Sequence, residues 1–267
     1  MNTFEKPNPT WYKEVWSLAI KDATWVEHTQ KEVDFIVDVM ELSGSERILD
    51  LACGFGRHAI ELSKRGFSVV GVDITADLIN EAERIASAEK LSTKFICADI
   101  RDVSFNNEFD VVLNMGEGAI GYLENDAENL KIFDLIASSL KQGGKHFMEI
   151  LNAEHAEMYF PKKSWYIGEK VLSLEEYQWD KETRRMLGSG WGFRFGEIAS
   201  KPIATDMAPR SSIRAYSMKE IEDILTPRQM IIKKTFGNSF GKFSKDRHAS
   251  PREMQLLIYS QKTCTFR

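Results

Sequence analysis

Between residues 46 and 151, short apolar runs alternate along the chain with segments whose apolar residues have helical spacing. Short apolar runs, typical of buried strands, occupy 47–51, 68–73, 94–98, 109–114 and 144–151. Apolar positions at helical spacing predict helices over 57–64, 76–89 and 126–140. Strands that alternate with helices in this way form a mostly parallel, doubly wound sheet with right-handed crossovers. The pattern therefore predicts an α/β fold whose ligand lies beyond the carboxyl ends of the strands.

The pattern changes on both sides of this region. Helical spacing precedes it, over 11–20 and 28–42. After it come β-like runs at 170–179, 184–195 and 213–216, with a turn signal at 180–183, and these runs predict an antiparallel insertion. The remaining pattern predicts a helix over 218–225 with Ser217 as its N-cap, and then strands over 230–236 and 254–260. The predicted sheet therefore has seven strands.

A glycine turn follows the first predicted strand. The run 48–57 reads ILDLACGFGR, so the strand carries Asp50 near its end and turns through Gly54 and Gly56 into a helix. Glycine is required where the backbone takes a positive φ or contacts a ligand, and a helix start presents unpaired N–H groups. The next strand ends in Asp73, whose carboxylate can accept hydrogen bonds from both hydroxyls of a ribose. Together these segments predict a site for a nucleotide-type cofactor.

Two cofactor classes fit this turn. The segment 54–59 satisfies the G-x-G-x-x-G/A fingerprint of dinucleotide-binding proteins, and Asp73 lies at nearly the expected distance. A pyrophosphate beside the turn would be repelled by the carboxylate of Asp50, because like charges repel strongly in a cleft of lowered dielectric. S-adenosylmethionine instead carries a sulfonium and an ammonium, which a carboxylate attracts. Asp50 therefore favours S-adenosylmethionine over NAD.

Five segments follow one another along the first half of the chain: DLACGFG at 50–56, VGVDI at 70–74, FICADI at 95–100, FDVVLN at 109–114 and LKQGGK at 140–145. In this order they resemble the motifs of the class I S-adenosylmethionine-dependent methyltransferases. The resemblance implies a Rossmann-like sheet whose last strand runs antiparallel at the sheet edge. It divides the chain into N-terminal cap helices at 1–45, a cofactor-binding core at 46–151, a β-rich lid over the substrate at 152–216 and a segment that completes the sheet at 217–267.

The resemblance also implies a set of cofactor contacts. Asp73 would bind the ribose, Asp50 the aminoacyl end and Asp99 the adenine amine. Each of these acids has a structural alternative as a helix cap, a stabiliser of the glycine turn or an exposed turn residue. The full expected set is Tyr12, Asp50, Ala52, Gly54, Gly56, Arg57, Asp73, Ile74, Asp99, Ile100, Asn114 and Met115.

Four members of this set have more specific expected roles. Ile74 and Ile100 would cover the faces of the adenine ring. Arg57 would bind the cofactor carboxylate or would be a solvated residue of the first helical turn. Tyr12 would contact the methionyl carboxylate or the sulfonium as part of an aromatic cap, or would simply pack in the core.

The sequence identifies the residues that would bind the methyl acceptor less clearly than those that would bind the cofactor. The segment 114–123 resembles the N-x-x-x-S-x-G-Y pattern of small-molecule members but contains extra glycines and Glu117, which could bind a substrate amine, act as a base or be a hydrated loop residue. His155 is the first candidate for a general base and His248 the second, although a lone histidine is more often structural. The insertion is aromatic, and these rings could enclose an apolar acceptor or form the core of the lid; they are Tyr159, Trp165, Tyr166, Trp179 and Trp191.

Composition narrows the classes of function. The chain has 267 residues, of which 43% are hydrophobic, enough for one large domain with an insertion. A net charge of −5 argues against a general nucleic-acid binder. Cys53, Cys97 and Cys264 are scattered and the histidines form no ligand pair, so we expect reduced thiols and no metal site. No long apolar segment is visible, and we expect a cytoplasmic protein that does not enter a membrane.

The sequence therefore predicts methyl transfer from S-adenosylmethionine to a nitrogen or oxygen atom of a small-molecule acceptor, with S-adenosylhomocysteine as the product. Three alternatives stay open: an RNA or protein methyltransferase, an NAD-dependent oxidoreductase and a non-catalytic cofactor-binding protein. The sequence does not identify the acceptor, the methylated atom or the general base, and it leaves a homodimer open.

Overall fold

The computed structural model describes residues 6–196, 209–238 and 243–263. Cys264, part of the insertion and part of the polar loop expected at 237–251 lie outside these ranges. The α-helices of the described residues are α1 (Tyr12–Val15), α2 (Thr29–Val39), α3 (Arg57–Lys64), α4 (Ala76–Ala88), α5 (Asp126–Ser139), α6 (Ala153–Tyr159) and α7 (Met218–Leu225). The strands are β1 (Arg47–Leu51), β2 (Ser68–Asp73), β3 (Lys94–Cys97), β4 (Phe109–Asn114), β5 (Leu140–Leu151), β6 (Lys162–Ile167), β7 (Val171–Asp180), β8 (Arg185–Arg194), β9 (Ser211–Arg214), β10 (Met230–Asn238) and β11 (Gln255–Lys262).

Seven strands form the main sheet in the order β10-β11-β5-β4-β1-β2-β3. The first five strands of the chain pair in parallel, whereas β11 is antiparallel to both of its neighbours. The predicted α/β class and the mostly parallel, doubly wound sheet are confirmed. The last strand is antiparallel as expected, but its expected place at the sheet edge is wrong, because β10 occupies that edge. The physical reason is burial: Leu256, Leu257 and Ile258 are at most 1% exposed, whereas β10 carries the exposed Ile231.

Helices cover both faces of the main sheet. Residues of α5 and α7 pack on one face and those of α2 and α3 on the other. Successive residues of β1 alternate between these two clusters, Leu49 facing the first and Ile48 the second, and both are fully buried. A buried leucine or isoleucine contributes about 1.5–3 kcal/mol. The two packed layers fix the carboxyl ends of the strands, where the ligand was expected.

The insertion contains a second sheet, β6-β7-β8-β9, which is antiparallel throughout. We call it the lid sheet. The predicted runs 170–179 and 184–195 correspond to β7 and β8, while α6 and β6 were not predicted. An apolar cluster joins the lid sheet to the main body, through Tyr177 and Met186 on one side and Trp11 and Tyr122 on the other. This cluster holds the lid sheet beside the carboxyl ends of β4 and β5.

The N-terminal segment differs from its prediction. The expected continuous helix over 11–20 is wrong, since α1 ends at Val15 and two short 3-10 helices, Leu18–Asp22 and Thr24–His28, follow it. Trp16 leaves the helical region and stacks on Tyr122 with ring centroids 6.3 Å apart. Tertiary packing of the aromatic rings therefore overrides the local helical pattern. Within the described residues, no helix combines the length and the apolar character needed to cross a membrane.

Candidate active site

The glycine turn between β1 and α3 has the backbone conformation that its sequence requires. Gly54 and Gly56 have φ angles of 57° and 77°, in the left-handed region that favours glycine. A Cβ atom on Gly56 would lie 2.7 Å from the ring of Phe95, so this glycine serves the packing of the turn against β3. A Cβ on Gly54 would come no closer than 4.0 Å to Ile20 and Leu78. Gly54 is thus the glycine that faces the site.

Asp73 lies at the end of β2 and is held by backbone N–H groups on both carboxylate oxygens. Gly54 N donates to Oδ2 and Thr75 N donates to Oδ1, each at 2.8 Å. The side chain is buried, with 8% of the residue exposed. Because each carboxylate oxygen has a further lone pair, Asp73 can still accept hydrogen bonds from two hydroxyls. The turn therefore fixes the carboxylate that the sequence assigned to the ribose.

Asp50 is the unusual acid of the site. It is 1% exposed, and its Oδ2 atom has no hydrogen-bond partner among the described residues. Burial raises the pKa of Asp50 to about 7, and the nearby guanidinium of Arg57 opposes this shift. An unpartnered buried carboxylate is costly, and a cation beside it would offset that cost. Asp50 therefore fits a positively charged group of S-adenosylmethionine.

Asp99, Ile74 and Ile100, which were expected to bind adenine, lie together in the lining of the cavity. Arg101 donates to both carboxylate oxygens of Asp99, from Nε at 3.0 Å and from the terminal nitrogen at 2.6 Å. This pairing keeps the pKa of Asp99 below its ordinary value. The sequence analysis missed Arg101, although an arginine two residues after an acid at a strand end is a signal for such a pair.

Arg57 is neither exposed nor free to turn. Its side chain is 9% exposed, pairs with Glu32 of α2 and donates to Thr29 Oγ1 at 3.0 Å. The guanidinium carbon also lies 5.0 Å from the ring centroid of Trp25. His58 Nε2 shares Glu32 at 2.6 Å, and burial lowers the pKa of this histidine. The cap helix α2 therefore holds Arg57 at the cavity, which it lines.

One cavity brings most of the predicted residues together. Its volume is about 1010 Å³, including its open mouth. The predicted residues that line it are Tyr12, Asp50, Ala52, Gly54, Arg57, Asp73, Ile74, Asp99, Ile100 and Met115. Aromatic and apolar residues that were not predicted as contacts complete it, chiefly Trp16, Ile20, Trp25, Leu78 and Tyr122. The acids at the strand ends and the N-terminal aromatic residues thus face the same space.

Two predicted cofactor contacts do not line this cavity. Gly56 packs against β3, as described above. Asn114 is fully buried and donates to Gly118 O at 3.0 Å, while its own oxygen accepts from His146 Nε2 at 3.2 Å. Asn114 therefore fixes the loop after β4 from below, and it is the backbone of that loop that reaches the cavity, through Gly116 and Gly118.

Two of the three candidate bases, Glu117 and His155, lie in different surroundings. Glu117 lies between two cavity-lining glycines, and its Oε1 accepts from Gln255 Nε2 at 3.1 Å. Burial raises its pKa. His155 is on α6, outside the cavity lining, where its Nδ1 donates to Pro251 O at 3.2 Å and its ring packs on Tyr159. Of the two, the structure places only Glu117 beside the cavity.

Sequence reasoning missed two further acids on this side. Glu149 of β5 is 5% exposed, and its Oε2 accepts from Gly116 N at 3.0 Å. Glu175 of β7 comes from the lid sheet. Burial raises the pKa of each to about 7. A glutamate inside the apolar run of β5 was a signal that could have identified Glu149, because buried acids in strands are rare.

Comparison with known proteins agrees with this geometry. Residues 48–144 match the methyltransferase domain family. A protein of Geobacillus sp. (strain WCH70) whose name describes it as a methyltransferase is 30% identical to this chain over 134 residues. These residues cover 50% of this chain and 52% of that protein. The chain spans about half the length of the curated relatives it matches.

Solved structures share the whole architecture. An S-adenosylmethionine-dependent methyltransferase from Clostridium acetobutylicum ATCC 824 has a TM-score of 0.70 at 20% identity, over 92% of this chain and 95% of that chain. A 1,6-didemethyltoxoflavin-N1-methyltransferase from Burkholderia thailandensis, solved with its acceptor and S-adenosylhomocysteine, has a TM-score of 0.57 at 12% identity, over 92% of this chain and 81% of that chain. At these identities the likeness shows the fold. Residues 48–144 therefore carry a methyltransferase domain, and the chain has the fold of S-adenosylmethionine-dependent methyltransferases.

Proposed function

We propose that this protein transfers the methyl group of S-adenosylmethionine to a nitrogen or oxygen atom of a small-molecule acceptor and releases S-adenosylhomocysteine. One observation carries the proposal. Asp50, whose buried Oδ2 atom has no hydrogen-bond partner among the described residues, lines a cavity that Asp73 and Asp99 also line. A carboxylate in that position is stabilised by a cation, and the other two match a ribose and an adenine.

Different residues of the chain would bind the cofactor, exclude water and accept a proton. Bound S-adenosylmethionine supplies a methyl group on a positively charged sulfur. Asp73 would orient the ribose and Asp50 would hold the cationic end. Tyr12 and Tyr122 would exclude water, which otherwise competes with the acceptor. Glu117 would accept a proton from the acceptor, since it lies beside the cavity and burial raises its pKa, which makes its carboxylate a stronger base.

Two features support a small acceptor over the alternatives. The lid sheet stands beside the carboxyl ends of β4 and β5, where it would restrict the approach of a large acceptor. The acceptor side also carries Glu117, Glu149 and Glu175, which would repel the phosphates of RNA. Asp50 would likewise repel the pyrophosphate of NAD. The 1,6-didemethyltoxoflavin-N1-methyltransferase, which has a similar fold and was solved with 1,6-didemethyltoxoflavin bound, supports the same choice.

Calorimetry and mass spectrometry test this function. We expect S-adenosylmethionine and S-adenosylhomocysteine to bind the full chain, and NAD to show no binding at millimolar concentration. A polar metabolite fraction incubated with the protein and trideuteromethyl-labelled S-adenosylmethionine should yield a labelled small molecule. Preferential binding of NAD would establish the oxidoreductase alternative. Cofactor binding without any labelled small molecule, RNA or protein would establish the non-catalytic alternative.

Cytoplasmic location and a homodimer are further predictions for this protein. The first follows from the scattered cysteines, since a disulfide framework is typical of exported proteins. Cell fractionation tests the location, and light scattering of the purified chain tests the oligomeric state.

A further inference from the structure

Three carboxylates surround a small region next to the cofactor cavity, on the acceptor side. Glu117 belongs to the loop after β4, Glu149 to β5 and Glu175 to the lid sheet. Amide groups hold the first two: Gln255 donates to Glu117 at 3.1 Å, and Asn238 donates to Glu149 at 2.6 Å. Within the residues that the structure describes, none of the three glutamates forms an ion pair. Their negative charge is therefore not neutralised by the described part of the chain.

The lid sheet brings Glu175 over this region because β7 is supported on both sides of it. Toward its end, Tyr177 packs in the cluster that contains Trp11 and Tyr122. Before its start, the turn that leads into β7 rests on the N-terminal segment, where Glu169 N donates to Glu27 Oε1 at 2.6 Å. Glu175 lies between these two supports. The strand thus spans the approach to the site with Glu175 in its middle.

The side chain of Glu175 lies on the face of the lid sheet that is turned toward the main body. Side chains alternate along a strand, so Glu175 shares a face with Tyr177, which is buried against that body. Its paired residue on β8 is Gly190, which has no side chain, and the three atoms nearest to a Cβ there would belong to Leu174 and Glu175. No side chain from β8 therefore fills the space beside Glu175. Glu176, by contrast, lies on the opposite face and pairs with Lys163 at 3.3 Å.

An unpartnered acceptor atom adjoins the same region. Asn238 is 3% exposed, and its Oδ1 atom has no hydrogen-bond partner among the described residues. The amide nitrogen of the same planar group donates to Glu149, so the orphaned oxygen lies next to that carboxylate. A buried carbonyl oxygen without a donor destabilises the folded chain. A ligand that brings N–H groups would satisfy Asn238 and the carboxylates together.

The electrostatics agree with the geometry. Burial raises the pKa of Glu149 and of Glu175 to about 7, and the charge of Glu117 adds to each shift. This mutual influence decreases with distance, so it agrees with the placement of Glu175 on the face that is turned toward Glu117. Tyr122 and Tyr177 supply aromatic rings nearby, and aromatic faces attract cations. Carboxylates beside aromatic faces are the chemistry that recognises an ammonium ion.

We propose that the acceptor carries a basic amine, which binds as an ammonium ion between Glu117 and Glu175, next to the orphaned oxygen of Asn238. The inference rests on the proposed methyl transfer and specifies its substrate class. The ammonium would offset part of the negative charge of the three glutamates when the lid sheet encloses it. Glu175 then determines specificity from the lid, while Glu117 and Glu149 do so from the main sheet.

The test measures binding to the full chain saturated with S-adenosylhomocysteine. The probes are two pairs of equal skeleton, 2-phenylethylamine against 2-phenylethanol and tryptamine against tryptophol. We expect each amine to bind at least about tenfold more tightly than its alcohol, because a desolvated charge pair is lost in the alcohol. Glu175→Gln should remove about tenfold of this preference and leave the affinity for S-adenosylhomocysteine unchanged. The matched control, Glu176→Gln on the other face of β7, should change neither value.

Several outcomes would overturn the proposal. Equal binding of amine and alcohol in both pairs would do so, and so would the absence of binding by all four probes. An unchanged preference in a folded Glu175→Gln variant would also contradict it, and Glu117→Gln supplies the same test if the first variant does not fold. In each case an intact affinity for S-adenosylhomocysteine leaves the proposed function standing. If the unaltered chain did not bind S-adenosylhomocysteine, that result would count against the proposed function instead.

Discussion

Three aspartates at neighbouring strand ends show how the surroundings of one residue type determine its chemistry. Asp73 is held by two backbone N–H groups, and Asp99 is held by Arg101. Asp50 keeps one oxygen without a partner among the described residues, and burial raises its pKa to about 7. The first two are thus fixed before any ligand binds. The third is the residue that gains most from a cation.

Asp73→Ala tests the fixed carboxylate. The change removes the acceptor of two ribose hydroxyls, so we expect the affinity for S-adenosylhomocysteine to fall by about 2–4 kcal/mol. Thermal stability should also fall, because Gly54 N and Thr75 N lose their acceptor. Asp77→Ala, an exposed residue of the following helix, is the control and should retain full affinity. Undiminished affinity in a folded Asp73→Ala protein would place the ribose elsewhere.

Sequence reasoning located Asp50, Asp73 and Asp99 because each follows or ends an apolar strand, and strand ends of a parallel sheet meet at one edge. It did not locate Glu175, because nothing local to β7 shows which residue of the chain lies opposite. It assigned Asn114 to the cofactor, although His146 and Gly118 hold that side chain beneath the loop. Position along a strand was predictable, whereas side-chain partners were not.

At the scale of elements, strands with strong apolar runs were predicted best. The antiparallel hairpin of β7 and β8 followed from its turn signal, and Ser217 caps α7 as predicted, in a capping box with Glu220. The placement of β11 inside the sheet could not be read from periodicity, because a buried strand has the same pattern in any central position. The connection between the lid sheet and the main body was also missed. It depends on Arg185, which in sequence looks like an ordinary surface charge.

Arg185→Met tests that connection. Arg185 is 2% exposed and donates to the carbonyl oxygens of Gly121 at 2.9 Å, Leu123 at 3.0 Å and Ser212 at 2.7 Å. Methionine fills similar space but donates no hydrogen bond to these carbonyl groups and leaves Glu124 without its ion-pair partner, so we expect a loss of about 3–5 kcal/mol in the free energy of unfolding. Urea denaturation measures it.

Arg194→Met is the matched control on the same strand. Its side chain is 54% exposed and pairs with Asp22, and such surface pairs contribute at most about 1 kcal/mol. If both variants lost the same small amount, Arg185 would not connect the lid sheet to the loop after β4.

At the scale of the whole molecule, buried acids converge on one side of the main sheet. Asp50, Asp73 and Glu149 are each at most 8% exposed, in a chain whose net charge is already −5. Charges of one sign destabilise a compact state unless they are protonated or paired. Their retention around one cavity is what a site for cationic ligands requires. The protein without ligands should therefore be less stable than its hydrophobic packing alone would allow, and the deficit should depend on pH.

The sign of this dependence follows from Glu149, whose pKa burial raises from the ordinary carboxyl value to about 7. Between those two values the folded chain keeps a proton that the unfolded chain has lost, so stability falls as pH rises through 7.

In Glu149→Gln this loss is absent. Relative to the unaltered protein without ligand, the variant should therefore gain about 2 kcal/mol of unfolding free energy between about pH 5.5 and about pH 8.5. Buried histidines such as His58, whose lowered pKa acts in the opposite direction, cancel in the comparison. Urea unfolding across this range measures the difference, and Glu222→Gln, at an exposed position of α7, should follow the unaltered protein at every pH. A constant difference between Glu149→Gln and the unaltered protein would mean that Glu149 is ionised throughout the range, and its burial would then be compensated by charges other than those described above.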